Sequence, residues 1–223
     1  MLARLLYRDG LMLVIDKPAG LPVHRGPKGG NALEDYFDAL RFGLPRPPAL
    51  AHRLDRDTTG CLVLGRHRKA LALLGKLFKQ GKVGKCYWAI VEGSPEADQG
   101  RIDIPLAKRD DARGWWMKAD SHGLPSVSTW TVMGRAAGLT WLALEPITGR
   151  THQLRVHCAE MGWPIVGDTI YGSAPRTGGP ALHLHSREVT VPISKNKPPV
   201  KVTAPVPEAM RELLTKCGWV GDN

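Results

Sequence analysis

His52-Arg53-Leu54-Asp55-Arg56-Asp57-Thr58-Thr59-Gly60 leads directly into Cys61-Leu62-Val63-Leu64-Gly65, so the densest polar cluster of the chain stands before a short apolar run. An apolar run of that length between glycines reads as a buried strand. The polar segment ahead of it reads as a loop on a rigid support, a common place for active groups. Asp57-Thr58-Thr59-Gly60 is good turn chemistry by itself. Asp55 between two arginines is compatible with a structural ion pair and with an active carboxylate, and the segment alone leaves both open.

Upstream, the apolar residues 11–15 are ended by Asp16-Lys17-Pro18-Ala19-Gly20, where proline and glycine stop a strand and start a loop. Residues 31–42 place Leu33, Tyr36, Phe37 and Leu40 at helical spacing after Asn31 as a cap. Downstream, residues 67–80 give helical spacing, with Leu71, Leu74, Leu77 and Phe78 on the buried side. Residues 83–91 alternate as a strand, 100–106 form a short one, and 107–125 read as a polar loop carrying Trp115-Trp116. Two β-rich stretches follow at 127–133 and 139–144, then a helix at 151–161 with Leu154, Cys158 and Met161 inward. Short strands at 182–186, 188–192 and 200–203 precede a closing helix at 207–216, with Pro207 near its first turn. Strands dominate without regular βαβ alternation, so the fold class is α+β, with a mixed, largely antiparallel sheet flanked by helices and loops. No repeat or linker divides the chain, and residues 1–223 read as a single domain.

The chain holds 31 Lys+Arg against 21 Asp+Glu, a net charge of +10 with neutral histidines. Such an excess fits a polyanionic partner, usually nucleic acid, with solubility as the bland alternative. The charge is unevenly spread: residues 66–85 carry seven Lys/Arg and no acid. A solvated face usually mixes signs, so this stretch points to phosphate, although part of it must cover the sheet. No run approaches the ~18 apolar residues of a membrane helix. Arg4, Arg8 and Asp9 interrupt any signal-like opening, so neither a membrane nor a secreted protein is expected. Four scattered cysteines without a CxxC pair give no thiolate zinc cluster or disulfide framework, and fit a reduced, cytoplasmic protein.

A second cluster is Thr148-Gly149-Arg150-Thr151-His152-Gln153-Leu154-Arg155-Val156-His157. With a helix from Thr151, Arg155 lies near the face of both Thr151 and His152. Two arginines and two histidines there exceed what a core needs. A zinc reading fails on spacing: His152 and His157 are five apart, not four, and His183 and His185 lack a supporting carboxylate or thiol pattern.

Four ordered segments carry a resemblance. The 52–60 loop, Lys85-Cys86-Tyr87 with its tyrosine 32 positions after Asp55, the 149–157 segment followed by Gly167-Asp168, and the 16–24 segment resemble the motifs of RluA-type RNA pseudouridine synthases. The resemblance runs from about residue 5 to 205. Thr59 stands where the family usually has serine, and the thirteen residues before Val14 leave no room for the S4 RNA-binding domain of many relatives, so a stand-alone form is expected.

The family cleaves the uridine N1–C1′ bond, turns the base and rejoins it through C5. The resemblance therefore implies an isomerase that needs no cofactor or metal. It makes Asp55 the catalytic carboxylate, as nucleophile or as base toward the ribose. Either role needs the ionised form, which a neighbouring guanidinium favours. Arg155 resembles the arginine paired with it. Tyr87, by strand alternation a half-buried tyrosine, becomes the residue that stacks on the target base. That base must be extruded from its stem, at a cost of roughly a few kcal/mol. Arg53 resembles the residue that enters the vacated stack, with His52 supporting the loop. Arg150, suited to phosphate, and His152 are further substrate contacts. Leu184 is either the apolar wall of the base pocket or one more core leucine. Trp115-Trp116 either stack on an unpaired base or pack on the sheet.

The expected substrate is a stem-loop of transfer RNA, 23S ribosomal RNA or both, modified in the cytoplasm by a monomer without a protein partner. A non-catalytic RNA binder has no use for an ionised carboxylate near phosphates. A glycoside hydrolase needs two cooperating carboxylates, and these motifs offer one.

Overall fold

The computed structural model describes residues 1–26, 29–110, 116–194 and 196–222. In chain order its strands and α-helices are β1 (Leu5–Arg8), β2 (Met12–Lys17), β3 (Ala49–Leu50), β4 (Thr59–Gly65), α1 (Arg68–Lys79), β5 (Gly84–Glu92), β6 (Gln99–Asp103) and β7 (Leu106–Lys108). Then come β8 (Met117–Ala119), β9 (Val127–Ala136), β10 (Leu139–Pro146), α2 (Gln153–Glu160), β11 (Leu184–Val191), β12 (Val200–Thr203) and α3 (Glu208–Lys216). Every strand pair with a described register is antiparallel, and the class is α+β with helices flanking a largely antiparallel sheet. The chain forms two compact units: Met1–Lys85 with Ser186–Pro205, and Cys86–His185 with Val206–Asn223.

In the first unit β2 lies between β1 and β4, β3 also pairs with β4, and β12 pairs with β11. Nearly every residue of β2 and β4 is buried, as their unbroken apolar runs require. Met12, Val14, Cys61 and Val63 pack with Leu74 and Leu77 of α1 and with Val189, Val191 and Val202. Gly65 permits the close approach of helix and strand, because a Cβ there would meet Leu71 Cα at 2.8 Å. In the second unit the strand order is β5-β10-β9-β6, beside a separate β7–β8 hairpin. Met210, Leu214 and Cys217 cover Ile90, Trp141 and Val166. Residues 153–158 of α2 are all buried, so its polar side chains need internal partners.

The helix expected at 31–42 is a 3-10 helix, Leu33–Leu40, and its cap is not Asn31, which is exposed. Asp35 instead reaches back to accept the Ala32 N–H at 2.9 Å. Leu71 is only half-buried, and Ala70 joins Leu74 and Leu77 as the buried residues of α1. Met161 caps α2 outside the core at 42% exposure. The strands expected at 182–186 and 188–192 form one strand, since Arg187 continues the ladder instead of breaking it. The stretch 107–125 holds the short hairpin strand β8, whose exposed Lys118 masks the alternation.

Candidate active site

Asp55 lies in the loop that enters β4. Its carbonyl accepts the Thr58 N–H at 3.2 Å and closes a tight turn. Gly60 leaves the loop with φ +99°, a conformation that favours glycine. The loop is fastened from beneath by Lys17. In the antiparallel register Lys17 stands opposite Gly60, so a long side chain faces a residue that has none. Its Nζ donates to the carbonyls of Pro18, Arg56 and Thr58 at 2.7, 2.8 and 3.0 Å, and the residue is fully buried. Burial pushes this ammonium down to about 8, against the opposing pull of the Asp57, Asp55 and Asp16 carboxylates.

Two further side chains fix the loop. His52 Nε2 accepts the Val63 N–H at 3.0 Å, and its ring stacks on Phe78 of α1 with centroids 4.4 Å apart. Burial, with the Lys85 charge next, pushes His52 down to about 3, so the ring is a neutral acceptor at ordinary pH. Arg56 Nε donates to the Gly20 carbonyl at 3.1 Å, tying the loop to the segment after β2. Arg53, by contrast, is exposed. Arg56 is exposed as well, so what distinguishes it from Arg53 is its bond to Gly20.

The second unit fixes Arg155. Its Nε and Nη2 donate to Asp168 Oδ2 and Oδ1, both at 2.7 Å, with side-chain exposures of 6% and 1%. Oδ1 also accepts the backbone N–H groups of Ile170 and Tyr171 at 2.9 and 3.0 Å. Burial alone would raise the Asp168 carboxyl, but the Arg155 bonds and charge and these two N–H groups outweigh it and hold it below the usual range. His152, at the N-cap of α2, has a left-handed backbone (φ 52°, ψ 17°), a costly conformation for a residue with a side chain. Its Nδ1 lies 2.8 Å from the Tyr171 hydroxyl, and its Nε2 lies 3.4 Å from Arg155 Nη1. The Tyr171 oxygen accepts the Met117 N–H at 2.9 Å, which links this group to β8. The guanidinium of Arg155 also lies 5.3 Å from the centre of the Tyr171 ring.

The expected site residues thus gather in two groups. His52, Arg53 and Asp55 share one loop in the first unit. His152 and Arg155 share one network in the second unit; Tyr87 on β5 and Leu184 on β11 belong to the same unit, both buried. Arg150 is exposed and bonds the Pro125 carbonyl through Nε at 3.3 Å. The Trp116 ring is flanked by Arg109 and Arg176, at 5.7 and 5.5 Å; Trp115 lies outside the described residues. Among the described residues no group of three or more His, Cys, Asp or Glu could hold a metal ion. No described helix is long and apolar enough to cross a membrane. Lys17 and Tyr171 are the supports that sequence reading misses, because neither role shows before the strand register and the chain's return past Asp168 are known.

Residues 11–160 match the RNA pseudouridylate synthase family. An uncharacterized RNA pseudouridine synthase of Zymomonas mobilis is 45% identical over 214 residues, covering 94% of this chain and 96% of that protein. Ribosomal large subunit pseudouridine synthase C of Haemophilus ducreyi is 35% identical, covering 95% of this chain and 68% of its own length. The structure of human RNA pseudouridylate synthase domain containing 4 superimposes with a TM-score of 0.82 at 27% identity, over 97% of this chain and 93% of that one. The chain therefore belongs to the RNA pseudouridylate synthase family and is an isomerase that converts uridine to pseudouridine in RNA.

Proposed function

We propose that this isomerase acts on one uridine in a stem-loop of transfer RNA, 23S ribosomal RNA or both, as a cytoplasmic monomer, with Asp55 as its catalytic carboxylate. The observation that carries the reading is the clamp on the Asp55 loop, where a buried ammonium bonds the Arg56 and Thr58 carbonyls of the turn. Such bracing suits a group that must meet a reacting ribose in one geometry. Likeness to a protein named for the ribosomal large subunit supports the ribosomal arm.

In this reading the uridine leaves its stack, Arg53 fills the gap and Tyr87 stacks on the extruded base. Leu184 forms an apolar wall, while Arg150 and His152 contact the substrate. Asp55 acts ionised, as nucleophile or as base toward the ribose, and Arg155, oriented by Asp168, acts with it. The N1–C1′ bond breaks, the C5–C1′ bond forms, C5 loses its proton and N1 gains one. Atoms and electrons balance within the uridine.

Asp55→Asn tests this on bulk transfer RNA and on 23S ribosomal RNA transcripts. Pseudouridine formation should fall by at least about 10³-fold, while RNA affinity stays within a few-fold of wild type. A variant that still forms pseudouridine at the wild-type rate would remove Asp55 from the chemistry. Mapping pseudouridine in RNA from cells with and without the gene identifies the uridine.

A further inference from the structure

The acid-free stretch 66–85 divides in the fold. Arg66 turns inward, donating to the carbonyls of Asp9, Arg41 and Phe42. Lys85 is half-buried. Arg68, Lys69, Lys76, Lys79 and Lys82 are exposed, and among the described residues none of them is ion-paired. Several surface cations elsewhere pair with acids: Arg41 with Asp38, Arg135 with Asp98, Lys201 with Glu188 and Lys216 with Glu212.

Helix geometry collects these charges. At 3.6 residues per turn Arg68, Lys69, Lys76 and Lys79 fall in an arc of about 100°, over a length of about 16 Å, opposite the buried side of the helix. The first turn of α1 contains no acid and carries Arg68 and Lys69, at the end where the helix dipole disfavours cations. The 3-10 helix Leu33–Leu40 and α3 both place acids in their first turns. Solubility alone does not explain cations put where they cost stability. A lipid surface is a poor fit, since the apolar residues Ala70, Leu74 and Leu77 are already buried. The helix is also tied to the Asp55 loop through the stack of Phe78 on His52.

We infer that the outer face of α1 binds the phosphate backbone of the substrate RNA away from the reacting uridine. The inference rests on the RNA-modifying reading of the chain and adds a docking surface to it. The face reads charge and not sequence, so it sets affinity and leaves the choice of uridine to other contacts.

The test replaces Arg68, Lys69, Lys76 and Lys79 together by Gln, which keeps helix propensity, and measures binding to bulk transfer RNA from about 50 to 200 mM salt. Each lost phosphate contact should reduce the log–log salt slope by about 0.7 to 0.9, hence by about 3 for the set, and the binding defect should shrink about 50-fold across that range. Turnover at saturating RNA should stay at the wild-type level. Arg211→Gln with Lys216→Gln removes two acid-paired cations of α3 and should leave the slope unchanged. An unchanged slope in the α1 variant overturns the surface, as does an equal change per charge in the α3 control, which would reduce the effect to net charge. Failure of the enzyme reading looks different: the wild-type protein would form no pseudouridine in any RNA.

Discussion

In the first unit one buried cation, Lys17, spreads its three donors over backbone carbonyls around the Asp55 turn; in the second, a bidentate ion pair grips the side chain of Arg155 itself. The first arrangement fixes the loop by its backbone and meets the Asp55 carboxylate through its charge. The second fixes a guanidinium by two parallel bonds and satisfies the remaining capacity of Asp168 with two backbone N–H groups. The consequences of damage differ accordingly. Removing Lys17 strands neutral carbonyls, whereas removing Asp168 strands a charge.

The largest effect is therefore expected from Asp168→Asn. It leaves a buried guanidinium without its anion, a loss of about 3 to 5 kcal/mol, measured as a drop in the urea midpoint with m unchanged. Asp168→Glu provides a second arm that does not strand the guanidinium: it keeps the charge and should recover part of the stability while misplacing Arg155. A midpoint within experimental error for Asp168→Asn would mean that the pair does not bear on folding.

Lys17→Met should cost less, about 1 to 3 kcal/mol, since the carbonyls of Pro18, Arg56 and Thr58 lose their donor and the Asp57, Asp55 and Asp16 carboxylates lose only a neighbouring charge. Its effect on turnover should exceed its effect on binding, because the loop around Asp55 loses its fixed shape while exposed cations such as Arg53 and those of α1 remain. Turnover and RNA affinity, measured on one substrate, separate the two. A fall in affinity with turnover intact would reduce Lys17 to an indirect part of the RNA surface.

Much of this contrast was legible in the sequence and some of it was not. The strand Thr59–Gly65 and the helix Arg68–Lys79 follow from local periodicity, and they are where the sequence places them. The Asp55 loop and the Arg155 segment stand out because polar residues crowd next to apolar runs. Lys17 does not stand out: before Pro18 it reads as the end of a strand, and only pairing across to Gly60 turns it into a clamp. The Arg155 network is hidden for a similar reason, since Asp168 and Tyr171 approach it only after the chain has left α2 and returned. Side chains with long-range partners leave no period in the sequence. The cap of the Leu33–Leu40 helix is hidden for the opposite, local reason: the cap position is Ala32, one residue beyond Asn31, and Asp35 reaches back to the Ala32 N–H.

The smallest expected effect concerns His52, and it asks which end of the comparison acid weakens first. Its folded value near 3 lies below the ordinary 6.5 of imidazole, so between these values the unfolded chain binds the additional proton. Stability is therefore present above pH 6.5 and is lost as pH falls toward 3. Asp168 also loses its contribution in acid, but only as pH drops below the usual carboxylate value of 3.8. His157 and His183 are lowered by burial as well and share the sign of His52, so a single wild-type curve does not isolate it. His52→Gln does, since it removes one titrating group and retains a side-chain acceptor for Val63. Denaturation at pH 6 and pH 5 should show wild type losing about 1 kcal/mol more than the variant over that unit. Equal losses would mean that protonation of His52 is not linked to folding, and that the Asp55 loop owes its acid behaviour to other groups.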